Sequence, residues 1–488
     1  MGKLIPQATG YNPSLDFYNY AQHGASQLKN AFKGSIDILK DADEDIGDNK
    51  DILMSRSREM YMGNTVALAA FRKFRTNVVG KGLKVKPKID AEFLNIGEEE
   101  VEKIQKMIEY SWELWSNSKE CDICRMSNFA QLQSLAFLTQ LVDGECFVLL
   151  PFKRRAGEVF DLKIQLIDSA RCRNPSSYDP IKQDIKNGVE IDKDGAPIAY
   201  YFTTDRYGLE TIKVDAYGKK SGRRNVLLVM EKERIGQRRG IPLLAPILES
   251  LYHLTKFTQA ELTNAVVSAL FTAFIERETA IPRGTAPMED VDIEQDPDGD
   301  VNLKMGNGTI VELAPGQKMS FADPSRPNQT FDNFFSAMVK HIGAALELPY
   351  EVLLNAFNSN YSASRAALNE AWKVYLMRRE WLVSDFCQPI YEEFVDNLVA
   401  RGYIKIKDYF ENPFVRKAYL KTEWYGSAQG QLDPIKEVRA SVMKIENNMS
   451  TLAKETMEMT GGDYESNLKQ RAKEKEMEKK YGLLEPSE

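Results

Sequence analysis

The residues best suited to metal chemistry in this chain are its cysteines. The segment Cys121-Asp122-Ile123-Cys124 has the C-x-x-C spacing of half a zinc site. Cys146 and Cys172 could supply two further ligands, but they stand singly and no histidine is near them in sequence. Cysteines of a hydrophobic core are the favoured interpretation, so we expect no metal and no cofactor.

The three histidines give little support for catalysis. His23, His253 and His341 stand in unrelated contexts, and nothing in the sequence pairs them with a nucleophile or a carboxylate. A G-x-x-x-x-G-K-[ST] loop, which would hold the phosphates of ATP, is absent from the sequence. We therefore expect no catalytic residue and no enzymatic activity.

An acidic run at 289–300 has two interpretations. Its second half, 294–300, begins like a calcium loop, but the closing position falls on Met305, which cannot ligate calcium. The run contains seven acidic residues and no basic one. It is a solvated acidic turn or, if several copies lie side by side, a concentrated negative rim.

Basic residues dominate the stretch between Tyr61 and Lys88. This stretch has no acidic residue, and Phe71 and Phe74 stand at spacings typical of a core rather than of a base-stacking platform. Packing between subunits is favoured over contact with nucleic acid. The basic residues are Arg72, Lys73, Arg75, Lys81, Lys84, Lys86 and Lys88.

A polar and aromatic segment near residue 358 has no positive charge. Such a surface can touch a DNA backbone without releasing many counterions, so contacts would form and break easily. An ordinary connecting loop is the alternative. The segment contains Asn355, Phe357, Asn358, Asn360, Tyr361 and Ser362.

Composition bounds the class of protein. The chain has 488 residues, of which 43% are hydrophobic, so several cores and two to four domains are expected. A net charge of −7 argues against tight nucleic-acid binding, which depends on phosphate neutralisation. Five scattered cysteines and no recognisable signal peptide indicate a reducing cytoplasm. The longest apolar stretch, 262–275, is too short to span a membrane.

Periodicity predicts mostly helices with a mixed helix-and-sheet region. Helices are predicted at 56–77, 99–117, 127–142, 246–271 and 331–346, and again from Pro434 to a solvated Lys- and Glu-rich end at 469–480. After the segment near 358, a long helix capped by Ser362 or Ser364 is expected. Its predicted apolar face comprises Leu368, Ala371, Trp372, Tyr375, Leu376, Leu382 and Phe386.

Strands are expected mainly in the first half of the chain. The predicted strands are 78–87, 146–151, 160–168, 198–203 and 226–230. Between the helices at 246–271 and 331–346, a Pro-punctuated insertion carries a hairpin of 301–305 and 309–313 around Gly306-Asn307-Gly308.

Several separated motifs together resemble the portal proteins of lambda-like tailed phages. Their order and spacing cover some nine-tenths of the chain. The motifs are Arg56-Ser57-Arg58-Glu59-Met60-Tyr61, the spacing of Trp112, Trp115, Cys121-Asp122, Phe129 and Gln133, Leu141-Val142-Asp143-Gly144-Glu145, Arg238-Arg239-Gly240-Ile241-Pro242, Leu348-Pro349-Tyr350, Leu432-Asp433-Pro434 and Tyr481-Gly482-Leu483.

The resemblance implies an α+β portal fold with a mixed α/β wing, a helical stem, a small β-containing clip and a helical crown, closed into a cyclic ring. The implied parts are an N-terminal arm (1–50), wing (51–241), first stem helix (242–275), clip (276–328), second stem helix (329–348), tunnel loop (349–364), long wing helix with its connection (365–425) and crown with C-terminal helices (426–488). The segment near 358 becomes the DNA-facing tunnel loop. The clip acids Glu289, Asp290, Asp292, Glu294, Asp296 and Asp298 become the terminase-facing surface.

The implied function is a DNA conduit at one capsid vertex, used in packaging, retention and ejection of the genome. Implied partners are a homo-oligomeric ring of about a dozen copies, the terminase large subunit, major capsid and scaffold proteins, head-completion adaptors, and double-stranded DNA bound without sequence specificity; no membrane is implied. Assembly in the bacterial cytoplasm and residence in the virion follow. The alternative is a phage nucleic-acid-processing enzyme whose active site is unrecognised.

Overall fold

A computed structural model describes residues 39–176, 184–204, 210–269, 273–277, 293–295, 301–303, 317–321, 331–357, 361–430 and 433–483. Most of these residues are helical. The helices are α1 (Ala42–Gly47), α2 (Lys50–Gly63), α3 (Thr65–Val78), α4 (Ala91–Leu94), α5 (Glu98–Asn117), α6 (Phe129–Asp143), α7 (Leu248–Ala269), α8 (Phe331–Ala345), α9 (Tyr350–Leu354), α10 (Tyr361–Leu382), α11 (Gln388–Ala400), α12 (Pro413–Tyr419), α13 (Pro434–Glu446), α14 (Leu452–Thr460) and α15 (Tyr464–Lys480).

The strands form small antiparallel sheets. In the first half of the chain the sheets have the orders β3-β2-β8 and β4-β5-β6-β7, and β1 pairs with β13 near the C-terminus. The strands are β1 (Lys84–Pro87), β2 (Glu145–Leu149), β3 (Gln165–Ile167), β4 (Ile185–Lys186), β5 (Val189–Ile191), β6 (Pro197–Thr203), β7 (Thr211–Asp215), β8 (Val226–Met230), β9 (Ala273–Arg277), β10 (Ile293–Gln295), β11 (Val301–Leu303), β12 (Gln317–Phe321) and β13 (Thr422–Tyr425).

The predicted helix at 56–77 is two helices that meet at Asn64. The Asn64 side chain accepts a hydrogen bond from the Ala67 amide at 2.9 Å, which caps α3. Its amide nitrogen donates to Thr255 Oγ1 at 2.8 Å and to the Leu251 carbonyl at 3.3 Å. The break therefore also ties α2 and α3 to the first half of α7.

An aromatic cluster joins α5, α6 and α11 in the main core. The Trp112 ring lies 5.4 Å from Tyr391 and 5.0 Å from Phe129, and Trp115 lies 4.9 Å from Phe394. All five side chains are buried. Burial of these large rings, with their edge-to-face contacts, fixes the packing of elements nearly 300 residues apart in sequence.

The β3-β2-β8 sheet separates this main core from a smaller one under the four-stranded sheet. Phe147 on β2 packs against Tyr200 and Phe202 on β6, with ring centroids 5.6 and 5.2 Å apart. The strand predicted at 160–168 is confined to Gln165–Ile167, because Leu162 and Ile164 form only isolated bridges to Phe152 and Asp122. The sequence pattern also missed β4, β5 and β7.

The long helix differs from its prediction at its start and in its middle. It begins at Tyr361, so Tyr361 and Ser362 lie inside α10 and neither Ser362 nor Ser364 is a cap. Leu376 is 44% exposed, although it was assigned to the apolar face, whereas Tyr375 and Phe386 are buried. Residues Val383–Cys387 form a wider π turn between α10 and α11.

The segment between α7 and α8 is described only as backbone strands. β9 pairs with β12, and β10 pairs with β11 in the register Glu294 to Asn302. The predicted hairpin placed 301–305 against 309–313, and that second strand lies outside the described residues. A β-containing segment between two helices is confirmed.

The C-terminal helices are largely solvated, as predicted for the Lys- and Glu-rich end. Asp433 caps α13 by accepting from the Lys436 amide at 3.3 Å, with Pro434 at the first helical position. None of the helices in the described ranges is both long and apolar enough to cross a lipid bilayer.

Gly144 and Gly157 offer a matched test of close packing. Both have left-handed backbones, with φ of 89° and 82°, so alanine costs each roughly 1–2 kcal/mol in backbone strain. A Cβ on Gly144 would lie 2.3 Å from the Ile241 carbonyl carbon, whereas one on Gly157 would meet no atom within 4 Å. We expect Gly144→Ala to lower the free energy of unfolding, measured in urea, clearly more than Gly157→Ala does. Equal losses would contradict the contact.

Candidate functional site

The predicted DNA-facing loop is short and begins at a helix cap. Asn355 ends α9 in a left-handed conformation (φ 57°), and the cap amide donates to the Glu351 carbonyl. Phe357 is 42% exposed, so it does not belong to the core of its own chain. Asn358 and Asn360 lie outside the described residues, and the next helix, α10, begins at Tyr361, four residues after Phe357.

Basic residues of α3 lie beside this loop, which sequence reasoning missed. The Lys73 ammonium donates a hydrogen bond to the Asn355 side chain. Arg72 is exposed on the same shallow depression, which Lys73, Asn355 and Thr76 also line. Burial lowers the pKa of Lys73. The loop is uncharged in sequence, but its surroundings carry positive charge.

Other members of the basic stretch are partnered within the chain. Lys86 pairs with Asp463 at 2.7 Å and Lys88 with Glu423 at 3.1 Å. Phe71 and Phe74 are fully buried, which confirms their predicted core role. Lys86 therefore has a structural role, joining β1 to the start of α15.

Two arginines of α10 anchor the loop's following helix to α3. The Arg379 guanidinium donates to the carbonyls of Asn77 and Val78, at 2.7 and 3.0 Å, near the C-terminal end of α3. These bonds satisfy carbonyls that have no partner inside the helix. Arg378 is buried, pairs with Glu231 at 2.6 Å and covers the Phe74 ring at 5.1 Å.

The turn before the loop is equally constrained. Glu347 adopts a left-handed φ of 56° after α8, and the Leu348 amide donates to the Gly343 carbonyl at 2.9 Å. A Cβ on Gly343 would lie 2.5 Å from the Leu348 carbonyl oxygen. The close contact of Gly343 is therefore within its own chain.

The acidic candidates cannot be assembled into a site from the described residues. Glu294 lies in β10, while Glu289, Asp290, Asp292, Asp296 and Asp298 lie outside the described residues. No side-chain geometry is therefore assigned to them.

The cysteines do not converge. Cys121 belongs to the main core and Cys172 to the smaller one, and burial raises their thiol pKa values to about 12 and about 11. Asp122 accepts from the amides of Cys124 and Met126, both at 3.0 Å, which shapes the turn without a metal. The described residues contain no group of three or more His, Cys, Asp or Glu side chains arranged to hold a metal ion.

A buried ionic cluster brings together three of the motif segments. Glu145 is fully buried, and its carboxylate pairs with Arg239 at 2.6 Å and with Lys50 at 3.0 Å. It also accepts from the Gly240 amide at 2.7 Å. Beside it, Arg58 pairs with Asp143 through two bonds of 2.6 and 2.7 Å. The cluster thus joins α2, the start of β2 and the segment that enters α7.

Attraction outweighs desolvation at the centre of this cluster. Burial alone would raise the pKa of Glu145, but the charges of Arg239 and Lys50 and the bonds it accepts hold it below its ordinary value. The Arg239 guanidinium also donates to the carbonyls of Cys172, at 3.0 Å, and Ser169, at 3.3 Å. Burial lowers the pKa of Lys50. Such a pair is stable only when its hydrogen bonds are complete.

The order of the described elements defines a structural class. The chain is a mixed helix-and-sheet protein in which two long helices, α7 and α8, flank a β-containing segment and a short loop leads into a third long helix. A comparison of family models finds a match over residues 31–379 with the phage portal proteins of the lambda family. The chain belongs to that family.

Relatives support the assignment over nearly the whole chain. Portal protein B of Escherichia phage lambda is 23% identical, over 89% of this chain and 85% of the lambda protein. The portal protein of Escherichia phage N15 is 22% identical, over 99% and 95%. A probable portal protein of Halomonas phage phiHAP-1 is 23% identical, over 86% and 79%.

Solved structures show more distant likenesses. A chain from the virion of a native gene transfer agent particle has a TM-score of 0.43, with 14% identity over 75% of this chain and 94% of that one. A chain from the neck of an empty particle of this agent, computed with C6 symmetry, has a TM-score of 0.45 and 13% identity, over 84% and 92%. At these scores the likeness carries no weight for function.

Glu145→Gln tests the ionic cluster. The change keeps the side-chain volume but leaves two buried cations without a counter-charge, so we expect the free energy of unfolding to fall by about 3–5 kcal/mol. Exposed Glu113→Gln is the control. The wild type's contribution is complete above the unfolded carboxyl pKa of about 4.3 and is lost as pH falls through the lower folded-state value. A loss in Glu145→Gln no larger than the control's would refute this role.

Proposed function

We propose that this protein forms the ring-shaped portal through which a tailed phage packages, retains and later ejects its DNA. Family membership over residues 31–379 is the observation that carries the proposal. The role is structural rather than catalytic, and packaging energy comes from another protein. The ring, of about a dozen copies, lies at one vertex of the virion and is assembled in the host cytoplasm.

Exposed apolar residues on α7 support assembly. One face of the helix is buried as far as Leu254, but its second half exposes Leu262 and Val266. Phe257 stacks with Phe331, at 5.6 Å between ring centroids, so α7 and α8 pack as a pair. We assign this pair to the stem and the strands between α7 and α8 to the clip. We assign α1 to the N-terminal arm, the described regions from α2 to β8 and from α10 to β13 to the wing, and α13, α14 and α15 to the crown.

The loop at 355–360 is proposed to contact DNA weakly. Phe357 is exposed, and Lys73 of α3 binds Asn355 at the start of its loop. Lys73 and Arg72 place positive charge behind an uncharged loop, which attracts the phosphate backbone in a channel of otherwise low affinity. The loop would restrain slippage of the duplex without reading its sequence.

Shortening the loop at 356–360 should separate this role from assembly. Asn355 is kept because it caps α9 and accepts from Lys73. We expect purified protein to remain a ring by native mass and electron microscopy, while complemented phage retain less packaged DNA. A variant with the same loop length but Gly and Ser at 356–360 tests whether side chains or length matter. Wild-type protein that stays monomeric at all concentrations would refute the ring, and unchanged DNA retention would refute the loop's role.

The acidic run is proposed as the surface that meets the terminase large subunit. Glu289, Asp290, Asp292 and Glu294 would repeat around the ring and attract a basic partner, with screening beyond roughly 8 Å at physiological salt. Capsid, scaffold and head-completion proteins are the other proposed partners.

Replacing those four acids by Gln or Asn should slow terminase association at low salt and leave ring stability nearly unchanged, since exposed charges contribute little to folding. The matched control neutralises Glu446, Glu474, Glu476 and Glu478 on the exposed C-terminal helices. Equal association rates for the clip variant and wild type at low ionic strength would show that docking uses another face.

A further inference from the structure

An aromatic and basic groove lies between α11, α12 and the turn before β8. It has a volume of about 790 Å³, and its rim exposes Phe152, Tyr217 and Phe410. Five Lys or Arg and three Asp or Glu residues line the groove, and the three segments that contribute its rim residues, 152–155, 217–224 and 401–417, together contain twelve Lys or Arg and two Asp or Glu. The rim of the groove is thus locally rich in positive charge, although the whole chain has a net charge of −7.

Two of the three carboxylates that line the groove are already neutralised. Glu393 pairs with Arg223 at 2.7 Å, and Asp396 pairs with Arg416 at 2.6 Å. Arg224 and Lys417 are exposed, and within the described part of the chain their side chains form no ion pair. The third lining carboxylate, Glu392, accepts from the Gln388 side chain at 3.3 Å, so these two cations outnumber the one groove carboxylate that has no ion pair.

The groove also contains an unsatisfied acceptor. Asn397 is 95% buried and donates to Asp161 at 3.0 Å, but its side-chain oxygen has no hydrogen-bond partner among the described residues. A buried acceptor without a partner costs about 1–3 kcal/mol. A donor brought by a docked partner would remove that cost.

A second surface has the complementary chemistry. Helix α5 exposes an apolar stripe of Met107, Tyr110 and Leu114 at the three- and four-residue spacing of one helix face. Residues 92–117 contain seven Glu and two Lys, and the first turn of α5 is three consecutive glutamates. The Tyr110 hydroxyl can donate to an acceptor such as Asn397.

The two surfaces lie on opposite sides of the main core. Helix α5 contacts α11 through Trp112 and Trp115, against Tyr391 and Phe394. At 3.6 residues per turn, the stripe lies roughly 140° around α5 from those tryptophans. The groove positions of α11, Glu393 and Asn397 among them, likewise face away from Tyr391. One copy thus presents the groove on one side and the stripe on the other.

We infer that the α5 stripe of one copy docks in the aromatic and basic groove of the next copy around the ring. A contact between two different faces is heterologous, and repeated rotation of such a contact closes a ring. The inference rests on the ring proposed above and adds the pair of surfaces that meet between neighbours. Opposite charges would set the orientation of the approaching copies and increase their association rate.

Site-directed cross-linking tests this pairing in the full-length protein. Cys124 is the exposed native cysteine and the other four are buried, so Cys124→Ser provides the background. With Leu114→Cys and Phe410→Cys in the same chain, a short bis-maleimide should give a ladder of covalent oligomers up to the closed ring. A mixture of copies carrying one cysteine each should give covalent dimers and nothing larger. The matched control pairs Leu114→Cys with Ile212→Cys, which is also exposed.

The possible outcomes distinguish failure of the proposed pairing from failure of the proposed ring. Rings of full native mass that cross-link no better than the control would overturn the pairing and leave the proposed function intact. Absence of rings in the unmodified protein would overturn both. Arg224→Glu with Lys417→Glu should reduce cross-linking several-fold at low salt, with the difference narrowing near 1 M salt, where screening acts within about 3 Å. No reduction at low salt would also overturn the pairing.

Discussion

The packing of the region before α7 depends on one buried charge, the carboxylate of Glu145. It stands at the first residue of β2, the central strand of its sheet, and is inaccessible to water. Its partners, Lys50 and Arg239, come from 95 residues before and 94 residues after it. A charge in this position is tolerable only when both cations arrive, because an unpaired buried ion costs several kcal/mol. The cluster therefore ties the sheet, α2 and the entry to α7 to one another.

Backbone contact reinforces this electrostatic constraint. Gly144 and Gly240 approach so closely that a Cβ on either would overlap the other segment's backbone. The two motifs around Glu145 and Arg239 therefore carry both the ions and the space between them. Since the segment at Gly240 leads directly into Ala245–Ile247 and α7, the direction of that long helix is determined at the cluster.

Sequence patterns predicted the long elements well and the contacts between them poorly. Helices α5, α6, α8 and α13 lie close to their predicted bounds, since each has a full apolar face or a clear cap. The break at Asn64 escaped prediction because its cause is a bond to α7, far away in sequence. The short strands β4 and β5 escaped because two or three residues give no measurable alternation. Lys73 could not be placed beside Asn355, because 282 residues separate them.

The π turn at Val383–Cys387 sets the orientation of α11 relative to α10. A turn with one extra residue advances the helix phase by roughly 100° relative to an unbroken α-helix. Upstream of it, Tyr375 faces Phe74, and downstream, Tyr391 and Phe394 face the tryptophans of α5. An unbroken α-helix over the same residues would rotate the downstream rings out of their core, whereas loss of one residue here would restore a regular helix with those rings in place. The π turn thus lets one continuous helical segment pack against two partners that lie in different directions.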